Sequence, residues 1–144
     1  MTEDSQGALQ RALRVRLIGS STEVWGNQVY ADLKPPTPGI ETVYPYAVFA
    51  YSAGGELNAR RALDAEYVYT VRVVSNDRAS AFTGAGRITA LLNDADTSTT
   101  NVMSTTDWYF LTCTQERKLW LVELIDGQQI FHSGGYFRIR MEAK

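Results

Sequence analysis

Between Ala65 and Leu92 a strand-like alternation runs directly into a helical period across the polar hinge Ser75-Asn76-Asp77. Tyr67, Tyr69, Val71 and Val73 fall on one side of the first segment, with Glu66, Val68, Thr70, Arg72 and Val74 on the other. Successive side chains of an extended strand point to opposite faces, so the first set reads as core and the second as a mixed face. In the segment that follows, Ala81, Ala85, Ile88 and Leu92 recur at i, i+4, i+7 and i+11, the spacing of an apolar stripe laid back against a sheet. No catalytic motif competes with this architectural signal.

Upstream, Asp4 or Ser5 is placed to cap a first helix in which Leu9, Leu13 and Leu17 align with Ala8 and Ala12. Arg11 and Arg14 fall on its other side, and Gly19 is placed to end it. Ser20–Asn27 reads as a loop before a short strand around Gln28–Leu33. That strand stops at Lys34-Pro35-Pro36-Thr37-Pro38-Gly39, whose prolines have no N–H for a ladder. A further strand runs from Tyr44 to Tyr51, and Ser52-Ala53-Gly54-Gly55 is expected to break it.

Beyond the second helix, Asn93–Thr106 is polar, aperiodic and long for a connection. The remainder divides into strand segments at Trp108–Thr114, Leu119–Ile125, Gln128–Phe131 and Tyr136–Met141, with Asp126-Gly127 as a tight turn. This order predicts an α+β fold, with a mostly antiparallel sheet of about five to seven strands and two main helices packed on one face.

At 144 residues the chain suits a single domain, 1–144, with a substantial core. None of its apolar runs approaches the roughly 18 residues a membrane helix needs. Met1-Thr2-Glu3-Asp4 is acidic and lacks the apolar stretch of a secretory signal, so synthesis in the cytoplasm is expected. Cys113 is the single cysteine; set in an apolar run with no basic neighbour, it reads as a buried thiol. A net charge of −2 argues against bulk electrostatic binding of nucleic acid.

A search for chemistry starts from His132, the only histidine. It sits in Phe131-His132-Ser133-Gly134-Gly135, where the glycines suggest a bend or bulge between strands, and a turn-lining role is expected. Asp94 and Asp96 form a D-x-D pair but lack the glycine and glutamate of a calcium loop. Gly84-Ala85-Gly86 begins like a dinucleotide fingerprint, yet Thr89 stands in place of the third glycine and the run lies inside the predicted helix. Those glycines read as permitting close approach of helix to sheet. Glu66, Glu123 and the other strand carboxylates are not brought together by spacing alone. The many tyrosines and tryptophans suit core and interface anchors, with a base-stacking platform as the sharper alternative. Neither a metal nor a cofactor is expected.

The leading helix with Leu9 and Leu13, Val29-Tyr30, the run Tyr44-Pro45-Tyr46-Ala47-Val48-Phe49-Ala50-Tyr51, the turn Gly54-Gly55-Glu56-Leu57, Tyr69–Ser75 with its helix, and Tyr136-Phe137-Arg138-Ile139 form a pattern across most of the chain. In this the sequence resembles the tail terminator, or tail completion, proteins of long-tailed bacteriophages and the related tail-to-head joining proteins. Pro35–Gly39 and Asn93–Thr106 are longer than a minimal member would need.

The resemblance implies a non-enzymatic virion protein that forms a homohexameric ring on the head-proximal end of the tail tube. Such a ring stops tube polymerisation and offers a surface to the head-neck connector, while DNA passes through the lumen without specific binding. The partners implied are further copies of the chain, the tube protein and the connector, with no membrane. Candidate subunit-interface residues are Arg60, Arg61, Glu56, Asp94 and Asp96, in polar stretches that include the expected loop Ala53–Ala62. A head-side neck connector or stopper is the nearest alternative. A small α+β enzyme or ligand-binding domain, with His132 or tyrosines in a pocket between sheet and helices, is the alternative from another class.

Overall fold

The first helix, α1 (Ser5–Ile18), begins at Asp4, whose carbonyl accepts from the Ala8 N–H and whose Oδ2 accepts from the Gly7 N–H, each at 3.0 Å. Ser5, the other candidate cap, is instead buried, its hydroxyl 2.6 Å from that of Tyr67. Leu9, Leu13 and Leu17 are fully buried, with Ala8 and Ala12 beside them, as their period requires. These features come from a computed structural model that describes residues 4–18, 23–35, 39, 41–57, 64–93, 103 and 105–144. Gly19 lies outside them; near the C-terminal end of α1, Trp25 Nε1 donates to the Leu17 carbonyl at 2.9 Å.

Five strands follow: β1 (Val29–Ala31), β2 (Tyr46–Leu57), β3 (Asp64–Ser75), β4 (Trp108–Ile125) and β5 (Gln128–Ala143), with α2 (Arg78–Leu92) between β3 and β4. They form one sheet in the order β1-β2-β3-β5-β4, antiparallel throughout except for the parallel β1–β2 pair. Both helices cover the face that carries Tyr67, Tyr69, Val71 and Val73, enclosing the main core with Ile88, Leu92, Phe137, Ile139 and Met141. Burial of a large apolar side chain is worth about 1.5–3 kcal/mol, so this layer dominates the stability. The α+β architecture with helices on one face is the one the periodicity predicts.

The hinge also forms as its sequence implies. Asp77 caps α2, accepting from the Ser80 N–H and hydroxyl at 3.1 and 2.8 Å, and these bonds hold its carboxyl below the usual range. The buried stripe of α2 is Ala81, Gly84, Ile88 and Leu92, so Gly84 replaces the expected Ala85, which is half-buried. Exposed Gly86 plays no part in the approach of α2 to the sheet. On the solvent side of α2, Arg87 holds Glu23 through two bonds of 2.7 and 2.6 Å, which lowers the carboxyl pKa and raises that of the guanidinium.

Three segment boundaries differ from expectation. Ser52–Gly55 does not interrupt β2: the strand passes through a bulge between Tyr51 and Ala53 and pairs with β3 as far as Leu57. The expected loop at Ala53–Ala62 therefore begins as strand, and 58–63 lie outside the described residues. Trp108–Thr114 and Leu119–Ile125 are one 18-residue strand, whose alternation is scrambled by register shifts at Phe110/Thr112 and Gln115/Arg117. Gln128–Phe131 and Tyr136–Met141 are likewise one 16-residue strand. Gly134 inside it marks no turn: a Cβ there would stand 2.0 Å from the Val71 carbonyl oxygen, so glycine permits close approach of β3 and β5. The turn at Asp126-Gly127 forms as expected, with φ of 51° and 77°, the left-handed pair that a tight two-residue hairpin favours.

Candidate functional site

Polar chemistry gathers on the sheet face turned away from the helices. Register places Val74 of β3 opposite His132 of β5, and His132 opposite Leu121 of β4. Arg72 pairs with Gly134, which has no side chain to block the guanidinium, and Arg72 Nε donates to His132 Nδ1 at 3.2 Å. With Nδ1 accepting, the neutral ring carries its proton on Nε2. That nitrogen lies 3.0 Å from Glu123 Oε1, close enough for charge to be felt but without a well-aligned hydrogen bond. Burial, reinforced by Arg72 and opposed by Glu123, lowers the histidine pKa.

His132 is therefore a mid-strand tie between β3, β5 and β4, not a turn residue. Its two nitrogens face a guanidinium and a carboxylate, which leaves neither aimed at a nucleophile. Further along the same face, Arg138 bonds both Glu66 and Glu116, which raises its pKa. Arg117 covers the Tyr136 ring at 4.4 Å. At the opposite end, Val48, Val74 and Ile130 form a small second core under Tyr30, Tyr44 and Tyr46.

The distal half of the β4–β5 hairpin has a different character. β4 is an edge strand, and beyond Lys118 it exposes Trp120 (43%), Leu121 (49%), Val122 (40%), Leu124 (73%) and Ile125 (47%). Phe82 of α2 stacks on Trp120 with centroids 4.8 Å apart and planes within 4°, and Trp120 stacks on Phe131. Arg78 covers both Trp120 and Phe131. Beside this stack, a cleft of about 260 Å³ opens between α2 and β4, lined by Phe82, Gly86, Thr89, Lys118 and Trp120 among others.

No protein-family model and no curated protein matches this sequence. Solved structures do. A chain in the virion of a native gene transfer agent particle superposes with a TM-score of 0.56 at 15% identity, covering 96% of this chain and 95% of that one. A second solved chain superposes at 0.52 and 16% identity, covering 97% of this chain and 96% of its own. The likeness is one of fold.

Of the residues singled out as candidate contacts, Arg60, Arg61, Asp94 and Asp96 lie outside the described residues. Glu56 falls within β2, opposite Ala65 of β3. Cys113 is fully buried in β4, as its neighbours in sequence suggest. Among the described residues no group of three or more His, Cys, Asp or Glu is arranged to hold a metal, and no helix is long and apolar enough to cross a membrane. The exposure of Trp120, Leu121, Val122, Leu124 and Ile125 within the run Leu119–Ile125 is the feature that reading the sequence missed. The apolar residues of that run occupy both faces of the strand, a pattern that reads as burial on two sides.

Proposed function

We propose that this chain is a structural protein of a phage-like virion: a tail terminator whose homohexameric ring caps the head-proximal end of the tail tube. The observation that carries the reading is the superposition, over nearly the whole of both chains, on a component of a gene transfer agent virion. The resemblance of the element pattern to tail terminators supplies the finer assignment. In this reading the ring stops tube polymerisation and presents a joining surface to the head-neck connector, and DNA passes through its lumen without specific binding. A head-to-tail ring needs two different complementary surfaces on one small subunit. The sheet has open strands at both ends, β1 and β4, among the described residues.

Deletion of the gene in an induced or infected cell tests the proposal. The expected outcome is filled heads beside separate tails of uncontrolled length. Tails of normal length beside unjoined heads would replace the terminator by a neck connector. Normal infectious particles would overturn both and bring forward an enzyme or ligand-binding domain.

A further inference from the structure

We propose that the distal half of β4 is the surface by which one copy of this chain docks on the next, seating against the β1 end of the neighbour's sheet. The inference rests on the ring reading above and adds to it the residues that make the contact.

Edge strands are normally guarded by charge, because their free backbone groups and side chains invite pairing. The proximal part of β4 follows that rule with Gln115, Glu116, Arg117 and Lys118. From Leu119 to Ile125 the only charged residue is Glu123, and it is turned to His132. Trp120, Val122 and Leu124 occupy the helix-side face and Leu121 and Ile125 the other, so both faces of the unguarded edge are apolar. With Phe82, 54% exposed, these six residues present on the order of 500 Å² of apolar surface, against roughly 800 Å² that each partner brings to a stable interface. That patch lies toward the upper end of what a monomer displays.

The other end of the sheet offers a counterpart at the same level. One row runs Leu121, His132, Val74, Tyr46 across four strands, and the next residue of β2, Ala47, pairs with Val29 of β1. At this rim Val43, just before β2, is 59% exposed, and Leu33, which follows Ala31 on the row of Phe49, Val71, Gly135 and Lys118, is 63% exposed farther along the edge. Arg14 Nη1 donates to the Val29 carbonyl. The Gln28 carbonyl accepts from Ala47 of β2, so that of Val29 points to the outer edge and is already satisfied. The contact is therefore made by side chains, Trp120, Leu121 and Leu124 against Leu33 and Val43, and not by lengthening the ladder. Because the two surfaces differ, the arrangement is head-to-tail and closes only as a ring.

Two variants test this, each at an exposed position: Leu124→Asp on the hairpin and Leu33→Asp on the β1 rim. Wild type should self-associate in sedimentation velocity, whereas each variant alone should run as a folded monomer with the wild-type far-UV spectrum. An equimolar mixture should run at the mass of two chains, since each variant keeps the surface the other lacks. Retention of wild-type assembly by either variant, a mixture that stays monomeric, or a wild-type chain that is monomeric at millimolar concentration would each overturn the proposal. Tail length in the deletion strain judges the terminator reading separately. Uncontrolled tails with a failed mixture assay remove only this surface, and a mixed dimer with normal tails removes only that reading.

Discussion

Gly84 of α2 lies directly over Val73 of β3: a Cβ built on Gly84 would stand 2.5 Å from Val73 Cγ2 and 2.9 Å from both Val73 Cβ and Cγ1. At Gly86, two residues on, a Cβ meets nothing within 4 Å. The same substitution should therefore have opposite signs at the two sites. Gly84→Ala forces helix and sheet apart and should cost about 1–3 kcal/mol, while Gly86→Ala should gain about 0.4–1 kcal/mol by reducing the freedom of the unfolded helix segment. Urea denaturation of the two variants checks both signs.

Val71 and Ile139 are both fully buried on the helix-side face of the sheet, in β3 and β5. Replacing either by aspartate buries a carboxylate with no partner, at a cost of several kcal/mol against a total stability of about 5–15 kcal/mol. Val71→Asp and Ile139→Asp should accumulate as insoluble or unfolded protein. A soluble variant with a cooperative melt would show that the core face is wrongly assigned.

Trp25 is 1% exposed and its indole N–H satisfies the Leu17 carbonyl in the last turn of α1. Trp25→Phe keeps most of the apolar volume and removes the donor. Leaving that carbonyl unpaired should cost about 1–3 kcal/mol, read as a lowered denaturant midpoint with an unchanged slope.

His132 titrates below its ordinary 6.5 because it is buried and next to Arg72, with Glu123 only partly offsetting both. Between the folded and unfolded pKa values the unfolded chain binds the proton and the folded chain does not. Stability should thus be fully present above about pH 6.5 and fall as pH drops from there toward the folded value, by up to about 1.4 kcal/mol per pH unit. His132→Gln should flatten the stability profile in this window, while the carboxylate-driven losses at lower pH remain. Denaturation midpoints measured from pH 7.5 to 5 give the comparison.

How much of this was legible in the sequence depended on whether a pattern had a single physical cause. Tyr67, Tyr69, Val71 and Val73 alternate because one face of β3 is core, and Ala81, Ile88 and Leu92 recur at helical spacing because α2 lies on that face, so β3, the hinge and α2 could be read directly. Gly54 and Gly134 misled because glycine serves turns and close approaches alike, and only the sheet shows Glu66 and Val71 backbone atoms crowding them. The bulges at Phe110/Thr112 and Gln115/Arg117 shift the period mid-strand and make one long β4 look like two short strands. At the candidate site the difficulty was different. Leu119–Ile125 carries the composition of a buried strand, and nothing local distinguishes a strand covered by its own chain from one left open for another. His132 was visible as the only imidazole, but its partners, Arg72 and Glu123, lie on other strands.

Because β5 lies between β3 and β4, the long hairpin enters the sheet through its second arm. During synthesis β3 and β4 have no shared partner until β5 has been made, so the sheet is completed late and by contacts distant in sequence, from Ser75 with Phe131 to Asp64 with Glu142. Such pairings close large loops before they return any burial, and they slow folding. A nascent chain that already contains β4 but not β5 carries one unpaired edge of β3 and a β4 with no partner on either edge, the latter rich in leucine and tryptophan. That interval, and not the finished fold, is when this protein is most exposed to aggregation.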